Sequence, residues 1–239
     1  MREKTLSLVY IALLTLGLSS SFAANATDEQ CQQYTHYQRQ GLQAYKSQDY
    51  TQARRNFEYQ VILAEICPAH HHQKSLAYNN IALTYFHQQR YLTADVWLKL
   101  APDSNQSKAN AHFYAKEIEQ AKKRARASIN GQYWSYVGQD AWNRISVKKT
   151  ANNLVDISFS GMYPGRNILK YGPHMGDLTA RITVKNHQGV YQSPNGECKI
   201  HFHFLPNKLI IKQTSAWCSF GAGVSATGHY QKVDDRSDD

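Results

Sequence analysis

The 239-residue sequence lacks the short motifs that mark most enzyme families. It contains no GxSxG motif and no phosphate-binding glycine loop, which removes the usual signals for a serine hydrolase and for a nucleotide-binding enzyme. Acidic residues are scarce in the second half before the C-terminal tail: Asp140, Asp156, Asp177 and Glu197. Glycoside hydrolysis needs two carboxyl groups across a cleft. We therefore predict a protein that is not an enzyme and that needs no cofactor.

Only one long apolar run is present, at residues 6–18. Arg2 and Lys4 precede it, and small residues suited to cleavage follow at positions 21–26, so residues 1–26 are predicted to be a signal peptide. The alternative is a membrane anchor, but the run is shorter than the ~20 apolar residues that a span needs. We expect a periplasmic or secreted protein without a transmembrane anchor after signal removal.

Cysteine is also rare, with four residues and no CxxC pair among them. This spacing argues against a thiol redox enzyme and against a thiolate zinc site. In an exported chain an even number of cysteines favours two disulfides, and four cysteines allow three pairings. Since each half of the chain contains two of them, we favour Cys31 with Cys67 and Cys198 with Cys218.

The charge of the chain is basic but not extreme. Removing the signal peptide takes away two cations and one anion, so the net charge falls from +9 to +8. Such a surface suits an acidic protein or a glycan. Nucleic acid is not expected in the compartment to which the signal leads, and we predict that it is not a partner. The alternative is a basic surface that only keeps the protein in solution.

Residues 76–101 carry aromatic, bulky and small residues at helical spacing. Small residues let two helices approach closely, and aromatic or bulky residues fill the seam between them. The residues in this pattern are Tyr78, Ile81, Ala82, Tyr85, Tyr91, Ala94, Leu98 and Ala101. A second, less complete copy of the pattern comprises Tyr37, Gly41, Tyr50, Ala53 and Phe57. In this copy Gln40 and Gln60 replace an apolar and a small residue. The two stretches resemble tetratricopeptide-type helical hairpins, with about seven residues inserted beyond the usual period of about 34.

The resemblance implies a short scaffold that holds a partner segment on a concave face. The side chains placed on that face would be Tyr45, Phe86, His87 and Arg90. Residues 103–128 are predicted to form one further long helix, similar to the solvated helix that caps such stacks.

The end of that helix carries a cationic run formed by Lys122, Lys123, Arg124 and Arg126. One interpretation is a solvated helix end, because the helix dipole favours cations there. The other is a docking patch for an anionic partner.

From residue 130 onward, apolar residues alternate with polar ones. The alternation predicts strands at residues 132–137, 145–149, 154–160, 178–184, 198–204, 208–214 and 224–231, with turn residues between them. Seven or eight short strands joined by tight turns favour an antiparallel barrel or sandwich. Residues 161–176 are predicted to be a long loop. Tyr163 and Arg166 are its candidate contact residues, and the alternative is a loop without a binding role.

Residues 198–230 run from Cys198 through an aromatic strand to the Cys-Ser-Phe-Gly-Ala-Gly-Val segment that begins at Cys218. This ending is similar to small disulfide-stapled β-domains of exported bacterial proteins. Its general shape resembles periplasmic lysozyme inhibitors of the small β-barrel type, although no inhibitory loop motif of that family occurs. The resemblance implies an inhibitor or immunity protein that blocks a cell-wall-lytic enzyme.

The sequence contains eleven histidines, a residue type that often binds metal ions. His201 and His203 are two positions apart on a predicted strand, so they share one face, which the alternation places outward. Three consecutive histidines occupy positions 70–72 of the inserted loop. No carboxylate stands at ligand spacing on the strand. We therefore predict no metal site, and His201 and His203 are the residues that would form one.

Together these observations predict an α+β protein of two domains. Residues 1–26 would be the signal peptide, 27–129 a tetratricopeptide-like helical domain with its capping helix, 130–233 an antiparallel β-barrel or sandwich, and 234–239 an acidic disordered tail. The predicted function is that of an exported protein-binding or adaptor protein. The alternative is an inhibitor of a cell-wall enzyme such as a lysozyme.

Overall fold

The computed structural model describes residues 28–150, 153–165, 167–215 and 218–235. The predicted signal peptide, Arg166 and residues 236–239 of the predicted tail lie outside these ranges. The first part of the chain forms helices and the second part a β-barrel, which confirms the α+β class.

Helices α1 (Asp28–Lys46) and α2 (Tyr50–Ile66) form an antiparallel pair joined by residues 47–49. Asp49 is the N-cap of α2: its side chain accepts a hydrogen bond from the backbone N–H of Gln52 at 2.9 Å. Gly41 lies against the ring of Phe57, where a Cβ atom would overlap the ring. This glycine therefore lets α1 and α2 approach closely.

A 3-10 helix (Pro68–Gln73) leads to a second pair, α3 (Lys74–His87) and α4 (Tyr91–Leu98), followed by α5 (Asn105–Phe113) and α6 (Ala115–Ala125). The prediction of one long helix over residues 103–128 is wrong, because the chain leaves helical geometry at Tyr114 with φ −100° and ψ 17°. At this break the ring of Tyr114 stacks on buried Phe86, with 3.9 Å between ring centroids. Sequence spacing alone does not reveal that contact.

The barrel consists of antiparallel strands that close by pairing the first with the last. In order they are β1 (Gly131–Gly138), β2 (Ala141–Lys149), β3 (Leu154–Tyr163), β4 (His174–Lys185), β5 (Gln188–Gln192), β6 (Lys199–Leu205), β7 (Lys208–Gln213) and β8 (Gly228–Asp234). Alternate residues fill the interior, among them Val147, Val155, Ile157, Phe159, Ile200, Phe202, Phe204, Leu209 and Ile211. Closure pairs every strand on both sides and leaves no open edge.

Two predictions about the strands need correction. Strand β5 was not predicted, because its sequence of Gln, Gly, Val, Tyr and Gln lacks an apolar alternation long enough to indicate a strand. The segment 161–176 is not one long loop, since β3 continues to Tyr163 and β4 begins at His174. Between them lies a short helix, α7 (Ile168–Tyr171).

Both expected disulfides are present, Cys31 with Cys67 and Cys198 with Cys218. The first joins the start of α1 to the end of α2, as an antiparallel pair allows. The second joins the start of β6 to the segment after β7. Disulfides are typical of proteins outside the reducing cytoplasm. Among the described residues, no helix has the length and apolar character needed to cross a membrane.

The helices pack directly on the barrel. Trp142 of β2 and Val233 of β8 belong to the same buried cluster as the helical core, and the Trp142 ring lies 5.0 Å from that of Trp97 on α4. Thr93 donates a hydrogen bond from Oγ1 to the Val233 carbonyl at 3.0 Å. These contacts fix the position of the barrel relative to the helices.

A buried lysine strengthens the junction. Lys232 on β8 donates from Nζ to the carbonyl oxygens of Ala125 at 2.9 Å and Ser128 at 2.6 Å, at the C-terminal end of α6. Burial lowers the pKa of Lys232 to about 8, and the carboxyl groups of Asp235 and Asp234 oppose this shift. The ammonium group thus caps carbonyls that the helix leaves unpaired.

Candidate functional site

The structure places the residues predicted for a concave helical face in different surroundings. The rings of Tyr45 and His87 lie 5.3 Å apart, and Tyr50 stacks on His87 at 4.8 Å, so these three form an aromatic cluster beside the hairpin turns. Phe86 is 2% exposed and stacks on Tyr114. The prediction that Phe86 lines a groove is therefore wrong, because its side chain fills the helical core.

Arg90 and Arg124, which the sequence placed on separate surfaces, line one small crevice with Asp234 and Asp235. The crevice has a volume of about 150 Å³ and lies where α4, α6 and β8 meet. The guanidinium of Arg90 also lies 5.1 Å from the centre of the Tyr85 ring.

The cationic run on α6 is only partly free. Lys122 forms ion pairs with Asp95 at 3.4 Å and Glu119 at 3.1 Å, and its carbonyl accepts a hydrogen bond from Asn207. Lys123 and Arg126 are exposed. Lys122 therefore helps to join the helices to the barrel, while its neighbours remain available for a docking patch.

The histidines are dispersed. His70 stacks on Tyr34 at 4.3 Å and its Nε2 lies 3.0 Å from the carbonyl oxygen of Cys31, beside the disulfide. His201 and His203 face outward on β6 as predicted. No group of three His, Cys, Asp or Glu residues within the described ranges is arranged to hold a metal ion.

The structure instead brings together residues from both halves around a cleft of about 530 Å³. Helix α2 supplies Glu58, Tyr59 and Ile62, and the β1–β2 hairpin supplies Gln139, Asp140, Ala141 and Arg144. Met162 on β3 and the segment around α7 complete the wall with Ile168, Leu169, Gly172 and Pro173. The predicted contact residue Tyr163 follows Met162 in the chain but does not line the cleft; its side chain is 47% exposed and its ring lies against Gly223. Arg166 lies outside the described residues.

Helical spacing directs the α2 residues toward the barrel. Glu58, Ile62 and Glu65 stand at positions i, i+4 and i+7, which share one helix face. Tyr59 is next to this face and stacks on Tyr37 of α1 with 4.8 Å between ring centroids. This side of α2 therefore forms one wall of the cleft.

The opposite wall contains a strained turn. Gln139 and Asp140 join β1 to β2 with φ values of 52° and 58°, a left-handed conformation that residues other than glycine rarely adopt. Hairpins with this geometry usually place Asn and Gly there. Such backbone strain persists only where surrounding contacts enforce it, and it is frequent at functional sites.

Glu65 supplies those contacts. Its Oε2 accepts the backbone N–H of Gln139 at 2.6 Å, and its Oε1 accepts the hydroxyl groups of Tyr78, at 2.6 Å, and Tyr136. The Tyr136 hydroxyl in turn accepts the N–H of Asp140 at 3.1 Å. Burial, together with the nearby carboxylate, raises the pKa values of both tyrosines. One carboxylate of α2 thus holds the hairpin turn in place.

The two carboxyl groups in the cleft are held in an environment that disfavours charge. Burial raises the pKa of Asp140 well above its usual range; the carboxyls of Glu58 and Glu65 add to the shift, and Arg144 and the indole of Trp142 oppose it. Burial likewise raises the pKa of Glu58, against the effect of Arg54, Arg144 and Arg55. The guanidinium of Arg144 lies over the Trp134 ring, 4.7 Å from its centre.

Asp140 is expected to make the protein less stable at neutral pH. Because its pKa is raised in the folded state, the protein loses stability as the pH rises from the ordinary Asp value of about 4 through the folded value. Each unit of elevation corresponds to about 1.4 kcal/mol. The Asp140→Asn variant should therefore gain stability relative to the wild type between pH 4 and pH 7, as measured by urea denaturation at several pH values.

The matched control is Asp103→Asn, which removes the same charge at an exposed position between α4 and α5. Its stability difference from the wild type should not change with pH in this way. A constant difference between Asp140→Asn and the wild type across pH 4–7 would show that Asp140 is not held in an unfavourable environment.

The sequence did not single out Glu58, Glu65, Asp140 and Arg144 as functional residues. A signal was present on α2, where Glu58 and Glu65 share a face with apolar Ile62. No local signal connected that face to the β1–β2 turn, since Glu65 and Gln139 are 74 positions apart.

Fold and cleft together define an α+β protein in which helical pairs and a closed eight-stranded antiparallel barrel form a cleft between them. No known protein family, curated protein or solved structure matches the chain.

Proposed function

We propose that the chain is an exported, periplasmic binding or adaptor protein without enzymatic activity, and that it docks a partner protein over the cleft between α2 and the barrel. The observation that carries this proposal is a set of exposed tyrosines, here called the rim. Tyr59 lines the cleft, Tyr163 follows the lining residue Met162 in the chain, and Tyr171 precedes the lining residue Gly172. Tyr59 is 48% exposed, Tyr163 47% and Tyr171 72%. Tyrosine is enriched at interfaces and among the residues that dominate binding energy.

Two features of the structure support a scaffold that presents this rim. The helical pairs α1–α2 and α3–α4 are antiparallel and closely packed, as tetratricopeptide-type hairpins are. The disulfides and the closed barrel hold the elements that carry the cleft. Under this proposal the signal peptide delivers the protein to the periplasm, where both disulfides form.

Tyr171→Ser is expected to weaken partner capture by at least tenfold, because it removes the most exposed ring of the rim. The measurement is the amount of each periplasmic protein that co-purifies with the tagged chain, quantified by mass spectrometry. The control is Phe113→Ser, which removes an equally exposed ring, 77% accessible, at the break between α5 and α6. Capture should be unchanged in that control.

The same measurement tests the helical face predicted from the sequence. If Tyr45→Ala and Arg90→Ala remove the captured protein while Tyr171→Ser does not, the partner binds the helices and the proposed cleft is wrong. If no variant changes any captured protein, the binding function itself is contradicted.

The alternative role, inhibition of a cell-wall-lytic enzyme, is supported by one observation. Tyr163, Tyr171 and Met175 are exposed near the segment that joins β3 to β4, and together they could insert into an enzyme's cleft. Protection against a panel of muramidases and amidases that Tyr171→Ser abolishes would identify the captured partner as such an enzyme.

A further inference from the structure

One buried acceptor that lines the cleft has no hydrogen-bond donor among the described residues. The side-chain oxygen of Gln139 is shielded from solvent and receives no hydrogen bond from any described residue. Neither Glu58 nor Asp140 forms an ion pair with a described Arg, Lys or His. Buried polar groups are normally hydrogen-bonded, so the unpaired oxygen of Gln139 in an accessible cleft indicates a missing donor.

The charged groups around Asp140 also favour a cationic ligand. Glu58 and Glu65 face it from α2, while Arg144 is the cationic side chain that faces it from β2. Arg54, which also acts on Glu58, is held elsewhere by a hydrogen bond to Gln88 at 2.8 Å and by the Tyr85 ring at 4.3 Å. Arg55 also acts on Glu58 but does not line the cleft. Among the lining residues, the two carboxyl groups of Glu58 and Asp140 therefore face one cationic side chain, that of Arg144.

The remaining wall is apolar. Ile62, Met162, Leu169 and Pro173 line the cleft. Long cationic side chains bury their methylene stems along apolar surface and extend the charged group to polar partners. The cleft thus offers an apolar path that ends at the carboxyl groups of Glu58 on α2 and of Asp140 on the turn that Glu65 fixes.

We propose that the cleft binds the cationic end of an arginine or lysine side chain that the partner protein presents, an inference that rests on the binding role proposed above. The carboxyl groups of Glu58 and Asp140 and the amide oxygen of Gln139 accept hydrogen bonds from it. The tyrosines of the rim contact the surrounding surface of the partner.

The proposal predicts that binding depends on pH. A cation that binds near Asp140 favours the ionised carboxylate, so binding releases a proton wherever the free site is protonated. Affinity should therefore rise with pH as Glu58 and Asp140 ionise in the free protein. A site that recognises only shape or apolar surface would show no such dependence.

The test uses N-acetyl-arginine amide as a probe and N-acetyl-citrulline amide as its neutral isostere, titrated into the full protein and followed by the NMR signals of the Gln139 and Asp140 amides. For a ligand of this size we expect a dissociation constant on the order of 1 mM. The citrulline derivative should bind at least tenfold more weakly, and the arginine derivative should bind more tightly at pH 8 than at pH 5.

Asp140→Asn and Glu58→Gln should each weaken binding of the arginine probe at least tenfold, whereas Asp103→Asn should leave it unchanged. Equal binding of the two probes, or wild-type affinity in both cleft variants, would overturn the proposal. If the arginine probe fails to bind while Tyr171→Ser still abolishes partner capture, the cationic-site inference is wrong and the proposed function stands. If capture is also insensitive to Tyr171→Ser, both are wrong.

Discussion

Replacing Glu65 by alanine is expected to lower the free energy of unfolding by about 3–5 kcal/mol. The carboxylate accepts three hydrogen bonds, from the hydroxyl groups of Tyr78 and Tyr136 and from the N–H of Gln139. Its removal leaves these donors unpaired at a largely buried interface. It also leaves the left-handed turn at residues 139–140 without the contact that enforces it.

Urea denaturation measures this effect, with Glu65→Gln and Glu119→Ala as comparison variants. Glutamine retains an acceptor oxygen but loses the charge, so Glu65→Gln should cost less than Glu65→Ala. Glu119 is exposed and pairs with Lys122 on the surface, so its loss should cost at most about 1 kcal/mol. An effect of Glu65→Ala no larger than that of Glu119→Ala would show that the turn does not depend on Glu65.

The Glu65 network also links stability to the proposed site. The carboxylate that joins α2 to the β1–β2 turn fixes the position of Asp140, while the cleft surrounds Asp140 with an environment that opposes its charge. The Glu65 contacts therefore stabilise the turn, while the same turn carries Asp140, whose burial lowers the stability of the protein. That combination is expected where a binding group must be held ready for a ligand, because function and stability then compete.

Much of the fold could be predicted because its signals are local. The alternation at Val155, Ile157 and Phe159 places these residues inside the barrel, and a closed antiparallel barrel needs only that repeated pattern and tight turns. The pairing of Cys31 with Cys67 could be predicted because each half of the chain contains two of the four cysteines. Strand β5 escaped prediction because its short, polar sequence carries no such pattern.

The cleft could not be predicted, since its geometry depends on contacts between distant parts of the chain. Arg144 alternates outward on β2, as any solvated cation on a strand would, and the sequence around Asp140 does not reveal the left-handed turn that it occupies. The hydrogen bonds of Glu65 to that hairpin bring it against α2, and the packing of Trp142 on Trp97 brings it against α4. Phe86 illustrates the same limit, because helical spacing alone did not distinguish a groove residue from one that stacks on Tyr114 in the core.

Removing the disulfide between Cys31 and Cys67 with a double alanine variant is expected to lower the free energy of unfolding by about 4 kcal/mol. The two cysteines are 36 positions apart, and the bond ties the start of α1 to the end of α2. Helix α1 packs on α2 and the 3-10 helix at the outer end of the helical stack, so it depends on this bond more than the inner helices do. Denaturation under oxidising conditions measures the loss.

The matched control removes Cys198 and Cys218, which are 20 positions apart and join barrel segments. The shorter loop predicts a loss of about 3 kcal/mol in the same chain-entropy estimate. The two variants should also differ in location. Amide hydrogen exchange should increase in α1 in the first variant, because α1 packs mainly on α2, and around β6 and β7 in the second. If the Cys31–Cys67 variant retained wild-type stability and α1 remained protected, the packing of Tyr34 and Phe57 alone would suffice to hold the first helical pair.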